Sequence, residues 1–254
     1  MFKQRLVLII AVALGAAVPV LAQDPYSSIA DVKLLKEADA KDMPTVSAPR
    51  GAIILFDGKS LDGWTKRDGK SPAHWKLLDG GIVQVAQGGD IITKEKFDGK
   101  FKLHVEFRVP YMPKASGQGR GNSGVYLQGR FEVQVLDSYG LKSTQTDCGG
   151  LYSIATPLVN ACKAPTVWQT YDIDFQSPRG ENGKITEPGV ITVHHNGVLI
   201  HDKVRLARKK GDKEEFVTNT TSGLGGDPTA PGPILLQEHG NPVQFRNIWL
   251  VPVK

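Results

Sequence analysis

The sequence predicts an all-β fold, either an antiparallel sandwich or a jelly roll. Short runs with strand character recur between turns, and the 254 residues include 28 Gly and 16 Pro, which suits a chain with many turns. Little helical periodicity follows residue 51. A single domain is expected, because β-sandwiches of about 200–250 residues commonly form one core.

Alternation and turn residues locate the individual strands. The dipeptide Asn196-Gly197 between two of the runs is a strong hairpin signal, since both positions of the favoured turn need positive φ. The predicted strands lie near residues 52–56, 75–78, 81–85, 102–109, 124–128, 130–136, 170–176, 190–195, 198–200, 233–237 and 243–251.

The first 22 residues read as an export signal. Lys3 and Arg5 precede an apolar run at 6–20, and small residues precede a cleavage site near Ala22. We therefore expect a periplasmic or extracellular protein. No later run approaches the roughly 18 apolar residues of a membrane span, so no span is predicted.

Residues 23–50 form a predicted N-terminal strap or linker, and residues 51–254 form the predicted domain. The strap mixes charge, Ala and Pro, and 29–40 is predicted to form a short helix with Leu34 and Leu35 facing inward.

The charge balance excludes a nucleic-acid partner. The formal net charge is +5, and loss of Lys3 and Arg5 with the signal lowers it to +3. Nucleic-acid binding needs a concentrated basic face. The one basic cluster, 203–213, is interrupted by Asp212 and predicts a solvated loop.

The two cysteines, Cys148 and Cys162, predict a disulfide, because disulfides persist in exported proteins. Free buried thiols are the alternative. Two thiols are too few for a zinc site, and no dense Asp/Asn loop indicates the structural calcium that jelly rolls often hold. No cofactor and no metal are predicted.

A stretch between Arg108 and Tyr139 carries the polar residues of interest. In the run at 103–108, Leu103, Val105 and Phe107 are expected to face the core, which leaves His104, Glu106 and Arg108 on the other face. By the same alternation Glu132 and Gln134 share a face, and so do Asn122, Tyr126 and Gln128. A carboxylate, a guanidinium, amides and a phenol on adjoining strands suit a polyhydroxylated ligand, best a sugar.

The spacing Glu132-x-Gln134-x-x-Asp137 is the most informative motif. A bulge between Gln134 and Asp137 would bring Asp137 to the polar face beside Glu132. The spacing resembles the Glu-x-Asp-x-x-Glu strand of laminarinase-type glycosidases, but Gln at the middle and Asp at the end weigh against direct displacement. An ordinary solvated edge strand is the alternative.

His239 completes the candidate site, whereas the loop at 117–121 is not part of it. His239 follows a predicted strand in a loop, where binding residues concentrate. The segment 117–121, Gly-Gln-Gly-Arg-Gly, lacks the Lys-Ser/Thr of a phosphate loop and predicts a flexible loop. Tyr126 and Tyr139 are the predicted stacking platforms for a sugar ring.

Several blocks together resemble the 3-keto-disaccharide hydrolase family, in matching order over 51–254. They are LFDGKSLDGW, EFR, GNSGVYLQGRFEVQVLDSYG, CGGLY, NACKAP, WQTYDI, HHNGVLIHD and GPILLQEHGNPVQFRNIWL. The resemblance implies a concanavalin-like jelly roll of two curved antiparallel sheets that acts on glycosides oxidised at C3. Departures fall in the 203–216 loop and the strap.

The resemblance implies a chemistry in which a C3 ketone acidifies the C2 proton, so that the glycosidic bond leaves by elimination and water adds back. Glu132 and Asp137 are the predicted acid and base, Arg108 the ketone or enolate stabiliser, and His239 a possible replacement base. The residues predicted to bind substrate are Glu106, Asn122, Tyr126, Gln128, Gln134, Tyr139 and Arg246. The alternatives are a β-glycan hydrolase of laminarinase-like type and a non-catalytic carbohydrate-binding module.

Overall fold

A computed structural model describes residues 24–29 and 31–253, and within these ranges the protein is nearly all-β. The predicted signal at 1–22 lies outside the described residues. Within the described ranges, no helix has the length and apolar character needed to cross a membrane.

Seventeen strands and two short 3-10 helices, Glu37–Ala40 and Gly117–Gly119, make up the described secondary structure. The strands are β1 (Ile53–Phe56), β2 (Trp64–Lys66), β3 (Lys76–Leu78), β4 (Ile82–Gln84), β5 (Ile91–Thr93), β6 (Lys100–Arg108), β7 (Ser123–Leu127), β8 (Phe131–Val135), β9 (Gln169–Gln176), β10 (Arg179–Glu181), β11 (Lys184–Glu187), β12 (Val190–His195), β13 (Val198–Arg205), β14 (Ala207–Lys210), β15 (Lys213–Phe216), β16 (Leu235–Leu236) and β17 (Gln244–Val253).

The strands form two main antiparallel sheets. The larger sheet has the order β13-β12-β9-β6-β17-β4-β3, with β1 also paired to β17, and the smaller has the order β2-β5-β16-β7-β8. Two separate hairpins, β10–β11 and β14–β15, lie outside them. The all-β antiparallel prediction is therefore confirmed.

One core lies between the two sheets, and strand alternation supplies it. Leu103, Val105 and Phe107 of β6 are buried in it from the larger sheet. Val133 and Val135 of β8 enter it from the smaller sheet. The predicted core face of these two strands is confirmed.

The predicted Asn196-Gly197 hairpin is also confirmed. Asn196 has φ 54° and Gly197 has φ 77°, and they join β12 to β13 with His195 opposite Val198. The last strand breaks its alternation where the register with β6 shifts between Arg246 and Trp249. Asn247 sits in that bulge with φ 45°, which a parity argument does not anticipate.

The predicted helix at 29–40 is wrong. The described part of this segment has one short 3-10 helix at Glu37–Ala40, and Leu34 and Leu35 are exposed rather than facing inward. Without a buried apolar stripe, a short helix lacks the packing that stabilises it.

The predicted loop at 203–213 is wrong as well, although its exposure is as expected. This region completes β13 and forms the β14–β15 hairpin, where Lys209 lies opposite Glu214 and Arg208 opposite Glu215. Cross-strand pairs of opposite charge favour such a hairpin. The predicted flexible loop at 117–121 likewise contains the 3-10 helix Gly117–Gly119.

Candidate functional site

The predicted polar face is divided between the two sheets. β6, which carries Glu106 and Arg108, is paired with β9 and β17 in the larger sheet, whereas β7 and β8 are paired in the smaller sheet. The polar side chains of β6 and of β8 point away from the shared core. They therefore lie on opposite outer faces of the sandwich.

A small polar cavity of about 80 Å³ lies on the outer face of the smaller sheet. Four predicted site residues meet there: Asn122, Glu132, Gln134 and His239. The complete lining is Gln118, Asn122, Glu132, Gln134, Tyr152, Thr221, Ser222, Gln237 and His239.

Glu132 is the titratable group at the centre of this cavity. It is 3% exposed and lies opposite Tyr126 in the β7–β8 register. Burial raises the pKa of Glu132 to about 8, the nearby Tyr126 hydroxyl opposes the rise, and repulsion from Asp90 adds to it. At neutral pH this carboxyl is therefore mostly protonated and can donate a proton.

A network of side-chain amides borders Glu132. Gln134 Nε2 donates to Gln118 Oε1 over 3.1 Å, and Asn122 Nδ2 donates to the Gln118 carbonyl over 2.7 Å. The oxygens at the other ends of these amides, Asn122 Oδ1 and Gln134 Oε1, are buried and have no hydrogen-bond partner among the described residues. Buried acceptors normally have donors, so the two oxygens are suited to accept from ligand hydroxyls.

The loop that supplies Thr221 and Ser222 is held by Arg67. Its guanidinium donates to the Ser222 carbonyl over 2.6 Å and the Gly223 carbonyl over 2.7 Å, and it pairs with Asp90 at 2.7 Å. Asp90 also accepts from Glu238 N, which fixes the loop bearing His239. Arg67 and Asp90 therefore position two walls of the cavity.

Asp137 does not line this cavity. Val135 and Leu136 are both buried in the core, so the alternation slips by one residue after β8 and Asp137 leaves the core, as the bulge prediction required. Its carboxylate then pairs with Arg120 at 3.3 Å, and the Asp137 backbone N–H donates to the Arg120 carbonyl. Burial raises the pKa of Asp137, and Arg120 opposes the rise.

The predicted placement of Arg108, Glu106 and Arg246 beside Glu132 is wrong. Glu106 accepts from Arg246 Nε over 2.6 Å on the outer face of the larger sheet. The Arg108 guanidinium stacks on the rings of Tyr26 and Trp168, with centroids at 4.6 and 4.7 Å. Local alternation gave the correct parity for β6, but it does not specify which strands pair.

The N-terminal strap covers this second polar cluster. Thr45 Oγ1 and Val46 N both donate to Glu106, and Tyr26 Oη donates to the Pro242 carbonyl over 2.8 Å. Burial opposes ionisation of Glu106, but the His104 ring, with Nε2 3.5 Å from Oε1, and hydrogen bonds from Asn247 and Arg246 hold its pKa at about 2. The cluster is therefore a charged contact that fastens the strap.

Two further predicted binding residues lie away from the cavity. Gln128 follows β7 and its Nε2 donates to the Phe97 carbonyl and to Ser177 Oγ. Tyr139 Oη donates to Asp39 of the strap over 2.8 Å. Both predictions extended a local pattern past the point where the strand ends. Tyr126 does adjoin the cavity, since its hydroxyl donates to the carbonyl of the lining residue Thr221, but it is fully buried and offers no stacking surface.

The predicted disulfide is not formed in the structure. Cys148 and Cys162 are free cysteines, and Cys148 Sγ contacts the Tyr171 hydroxyl at 3.1 Å. The two thiols and a ring nitrogen of His195 all lie within 4.8 Å of one another. The third member of this cluster, His195 of β12, was not anticipated, because it is remote in sequence from both cysteines.

Several cavity residues were missed from sequence. Gln118 was assigned to a flexible loop, and Thr221 and Ser222 lie in a segment without a recognisable motif. Gln237 had a usable signal, because it stands two residues before His239 in the block QEHG. Its Nε2 donates to Tyr126 Oη over 2.9 Å, which links it to Glu132.

The fold and the cavity together define a β-sandwich protein with a small polar site on the outer face of one sheet. The family described as the 3-keto-alpha-glucoside-1,2-lyase-like domain matches residues 51–251. The chain belongs to this family.

Individual relatives agree with that assignment. The chain is 26% identical to a 3-keto-disaccharide hydrolase of Bacteroides thetaiotaomicron, over 85% of this chain and 83% of that protein. It is 36% identical to a candidate glycosyl hydrolase of Parabacteroides distasonis of known crystal structure, with a TM-score of 0.67 over 81% of this chain and 85% of that one. A second structure from that organism, at 21% identity and a TM-score of 0.55, covers 80% of this chain and 99% of its own and shows the shared fold.

Proposed function

We propose that this protein cleaves the glycosidic bond of 3-keto-glycosides, including 3-keto-disaccharides, at the cavity around Glu132. The observation that carries the proposal is a buried carboxyl, with a pKa of about 8, beside two buried amide oxygens that lack donors. The family and the named activity of the Bacteroides relative support the substrate class.

The proposed reaction is elimination followed by hydration. A base removes the proton from C2, and the C3 ketone takes the electron pair as an enolate. The enolate then expels the glycosidic oxygen from C1, which leaves with a proton from an acid, and a C1=C2 double bond forms. Water adds to C1 and a proton returns to C2, so the sum is hydrolysis of the glycosidic bond. No nucleophilic carboxylate is needed.

Glu132 is proposed as the acid, since its raised pKa keeps it protonated at neutral pH. His239, which lines the same cavity, is proposed as the base at C2. Asn122 Oδ1 and Gln134 Oε1 are proposed to accept from sugar hydroxyls. Gln237 replaces Arg108 as the candidate donor to the ketone oxygen, because Arg108 lies on the other sheet. Asp137 no longer carries a role, because its carboxylate is paired with Arg120.

The cavity is small relative to the roughly 300–1,000 Å³ of common ligand sites. We therefore propose that only the reacting edge of the oxidised sugar enters it. The leaving group would then lie in solvent above Tyr152 and Ser222. Few protein contacts would select its structure there. Export through the signal at 1–22 would place the enzyme where such glycosides are encountered.

Matched substrates test the proposal. We expect cleavage of a 3-keto-disaccharide and no cleavage of the unoxidised disaccharide, with Glu132→Gln as the inactive control. Cleavage of both substrates would instead indicate a general glycan hydrolase, and cleavage of neither a binding module. Each of these two results would contradict the proposal.

The elimination step has its own readout. In D₂O, early product is expected to carry one deuterium at C2, above the exchange measured for product in buffer alone. Direct displacement at C1 would leave the original hydrogen at C2. Cleavage without deuterium at C2 would therefore retain the substrate assignment and overturn the mechanism.

A further inference from the structure

Three soft or borderline metal ligands meet behind the candidate active site. The Sγ atoms of Cys148 and Cys162 and one ring nitrogen of His195 lie within 4.8 Å of one another. Ligands that share one Zn²⁺ lie about 3.5–4 Å apart, given metal–sulfur bonds of about 2.3 Å and metal–nitrogen bonds of about 2.0 Å. The observed spacing needs only a small contraction to reach that geometry.

The hydrogen bonds of His195 leave the lone pair of Nδ1 free to bind a metal. Gln169 Oε1 accepts from Lys163 N over 2.8 Å, so this atom of the amide is its oxygen. His195 Nε2, 3.0 Å from the same oxygen, must then carry the proton and donate. The lone pair is therefore on Nδ1, which faces Gly149, the neighbour of Cys148: a methyl group at Gly149 would lie 3.9 Å from it.

This arrangement matches the outer shell of natural metal sites. A metal-bound histidine usually donates its second ring N–H to an oxygen, which fixes its tautomer and orientation. Gln169 provides that oxygen. The ring is held further by Tyr171, whose centroid lies 4.8 Å away, and by Phe107 at 5.8 Å.

The two cysteines are held in place by a shared network. Cys148 N donates to Ser138 Oγ over 3.0 Å, and Cys162 N donates to Asn160 Oδ1 over 2.9 Å. Asn160 Nδ2 in turn donates to the Ser138 carbonyl over 2.8 Å. These hydrogen bonds hold the backbone segments of the two cysteines together before any ion binds. Coordination therefore costs less conformational entropy.

The solvent space nearest to the trio lies on the side of Cys162. All three ligand groups are buried, but Cys162 is partly exposed as a residue and lines a cavity of about 520 Å³. Tyr139, Val159 and Lys163 also line this cavity. We expect a cation to enter from this side, past the cavity lining.

We propose that Cys148, Cys162 and His195 form a site for one thiophilic d¹⁰ cation, Zn²⁺ or Cu⁺. Binding would displace two thiol protons and use the neutral imidazole, with no change in oxidation state. Three protein ligands suit trigonal Cu⁺, and Zn²⁺ would add a water from the cavity on the Cys162 side.

The site would fasten the wall of the active-site cavity rather than take part in chemistry. Gly149 N donates to the Gln134 carbonyl over 2.9 Å, and Gln134 N donates to the Gly150 carbonyl over 3.0 Å. The loop next to Cys148 is therefore paired with the backbone of a cavity residue. This inference stands independently of the proposed function.

The test uses the full chain, reduced and freed of metal under anaerobic conditions, with Zn²⁺ and Cu⁺ as separate probes. In equilibrium dialysis we expect the protein to bind one equivalent of Zn²⁺ or of Cu⁺ per chain. X-ray absorption is expected to show two sulfur neighbours and one nitrogen from imidazole. His195→Gln is expected to weaken binding at least tenfold, and Gln169→Leu by about 10–100-fold.

His201→Gln is the matched control, because His201 is also buried and contacts the same loop through the Gly149 carbonyl at 2.8 Å, yet lies outside the trio. It is expected to bind like the parent. Should variants fail to fold, the ion stoichiometry and the X-ray absorption spectrum of the unaltered protein still test the site. Equal binding by the His195 and His201 variants would overturn the proposal, and so would a Cys148–Cys162 disulfide whose reduced form binds neither ion.

Discussion

Tyr126 and Glu132 lie opposite each other on β7 and β8, and the Tyr126 hydroxyl partly offsets the effect of burial on the pKa of Glu132. Tyr126 Oη also accepts from Gln237 Nε2 over 2.9 Å. The pair therefore connects the buried carboxyl to the wall that carries His239. The pKa of Glu132 therefore affects both the stability of the fold and the proposed activity.

Replacing Glu132 with Gln should stabilise the fold at high pH. Because burial raises the pKa of Glu132 from 4.5 to about 8, the folded state keeps a proton that the unfolded state has lost. Wild-type stability should thus fall as pH rises from about 4.5 to 8, whereas Gln does not titrate. Urea unfolding at pH 5, 7 and 9 should show a growing advantage for the variant, of a few kcal/mol at most. Parallel curves across this range would contradict the raised pKa.

Replacing Tyr126 with Phe should move the alkaline limb of the pH–rate profile to higher pH. The hydroxyl favours the ionised form of Glu132, so its loss raises the pKa of the carboxyl further. The profile of kcat/KM against pH on a 3-keto-disaccharide measures this. Tyr139→Phe is the control, because its hydroxyl contacts Asp39 of the strap and should leave the limb in place. A limb that is unchanged in Tyr126→Phe would mean that Glu132 does not set it.

Gly124→Ala should lower activity at least tenfold without unfolding the protein. Gly124 lies in β7 with an ordinary extended backbone, but an added Cβ would sit 2.5 Å from Glu132 Oε1 and 2.8 Å from Tyr126 Cε2. The carboxyl is the mobile partner and should be displaced. Gly119→Ala, with nothing within 4 Å of the added atom, is the matched control for kcat and thermal melting. Equal activity in the two variants would show that the position of Glu132 is not critical.

Glu106→Gln should destabilise the fold by about 3 kcal/mol at pH 7, because it leaves Arg246 without its buried counter-charge. The pKa of Glu106 falls from 4.5 in the unfolded chain to about 2 in the folded protein. The ionised carboxylate therefore stabilises the wild-type fold above pH 4.5, and this stabilisation is lost as the pH falls toward 2. The difference between the two proteins should therefore shrink in denaturant titrations at pH 3. The shape of the activity–pH profile should not change, and a change would place Glu106 in the site after all.

Local sequence patterns predicted eleven of the seventeen described strands and four of the nine residues that line the cavity. Alternation placed Glu132 and Gln134 on one face of β8, and the loop argument placed His239 near them; all three line the cavity. These predictions succeeded because each depends on neighbours within one strand or one loop. The roles of these residues remain predictions.

The rest depends on contacts between remote segments. β6 pairs with β17, more than 130 residues later, and no local period specifies that choice, so Arg108 and Glu106 were assigned to the wrong face. The register shift after Arg246 and the slip after Val135 are single-residue events that alternation does not show. Arg67 donates to the Ser222 carbonyl, 155 residues later in the chain, and no local pattern predicts this contact.

The family match begins at residue 51, yet the strap before it supplies two donors to Glu106 and the Tyr26 ring that covers Arg108. A recombinant fragment starting at residue 51 would expose the cluster of Glu106 and Arg108, which the strap covers in the folded protein. Expression boundaries for this protein should therefore be drawn at residue 24, upstream of Tyr26, and the predicted signal cleavage near Ala22 would leave that segment intact.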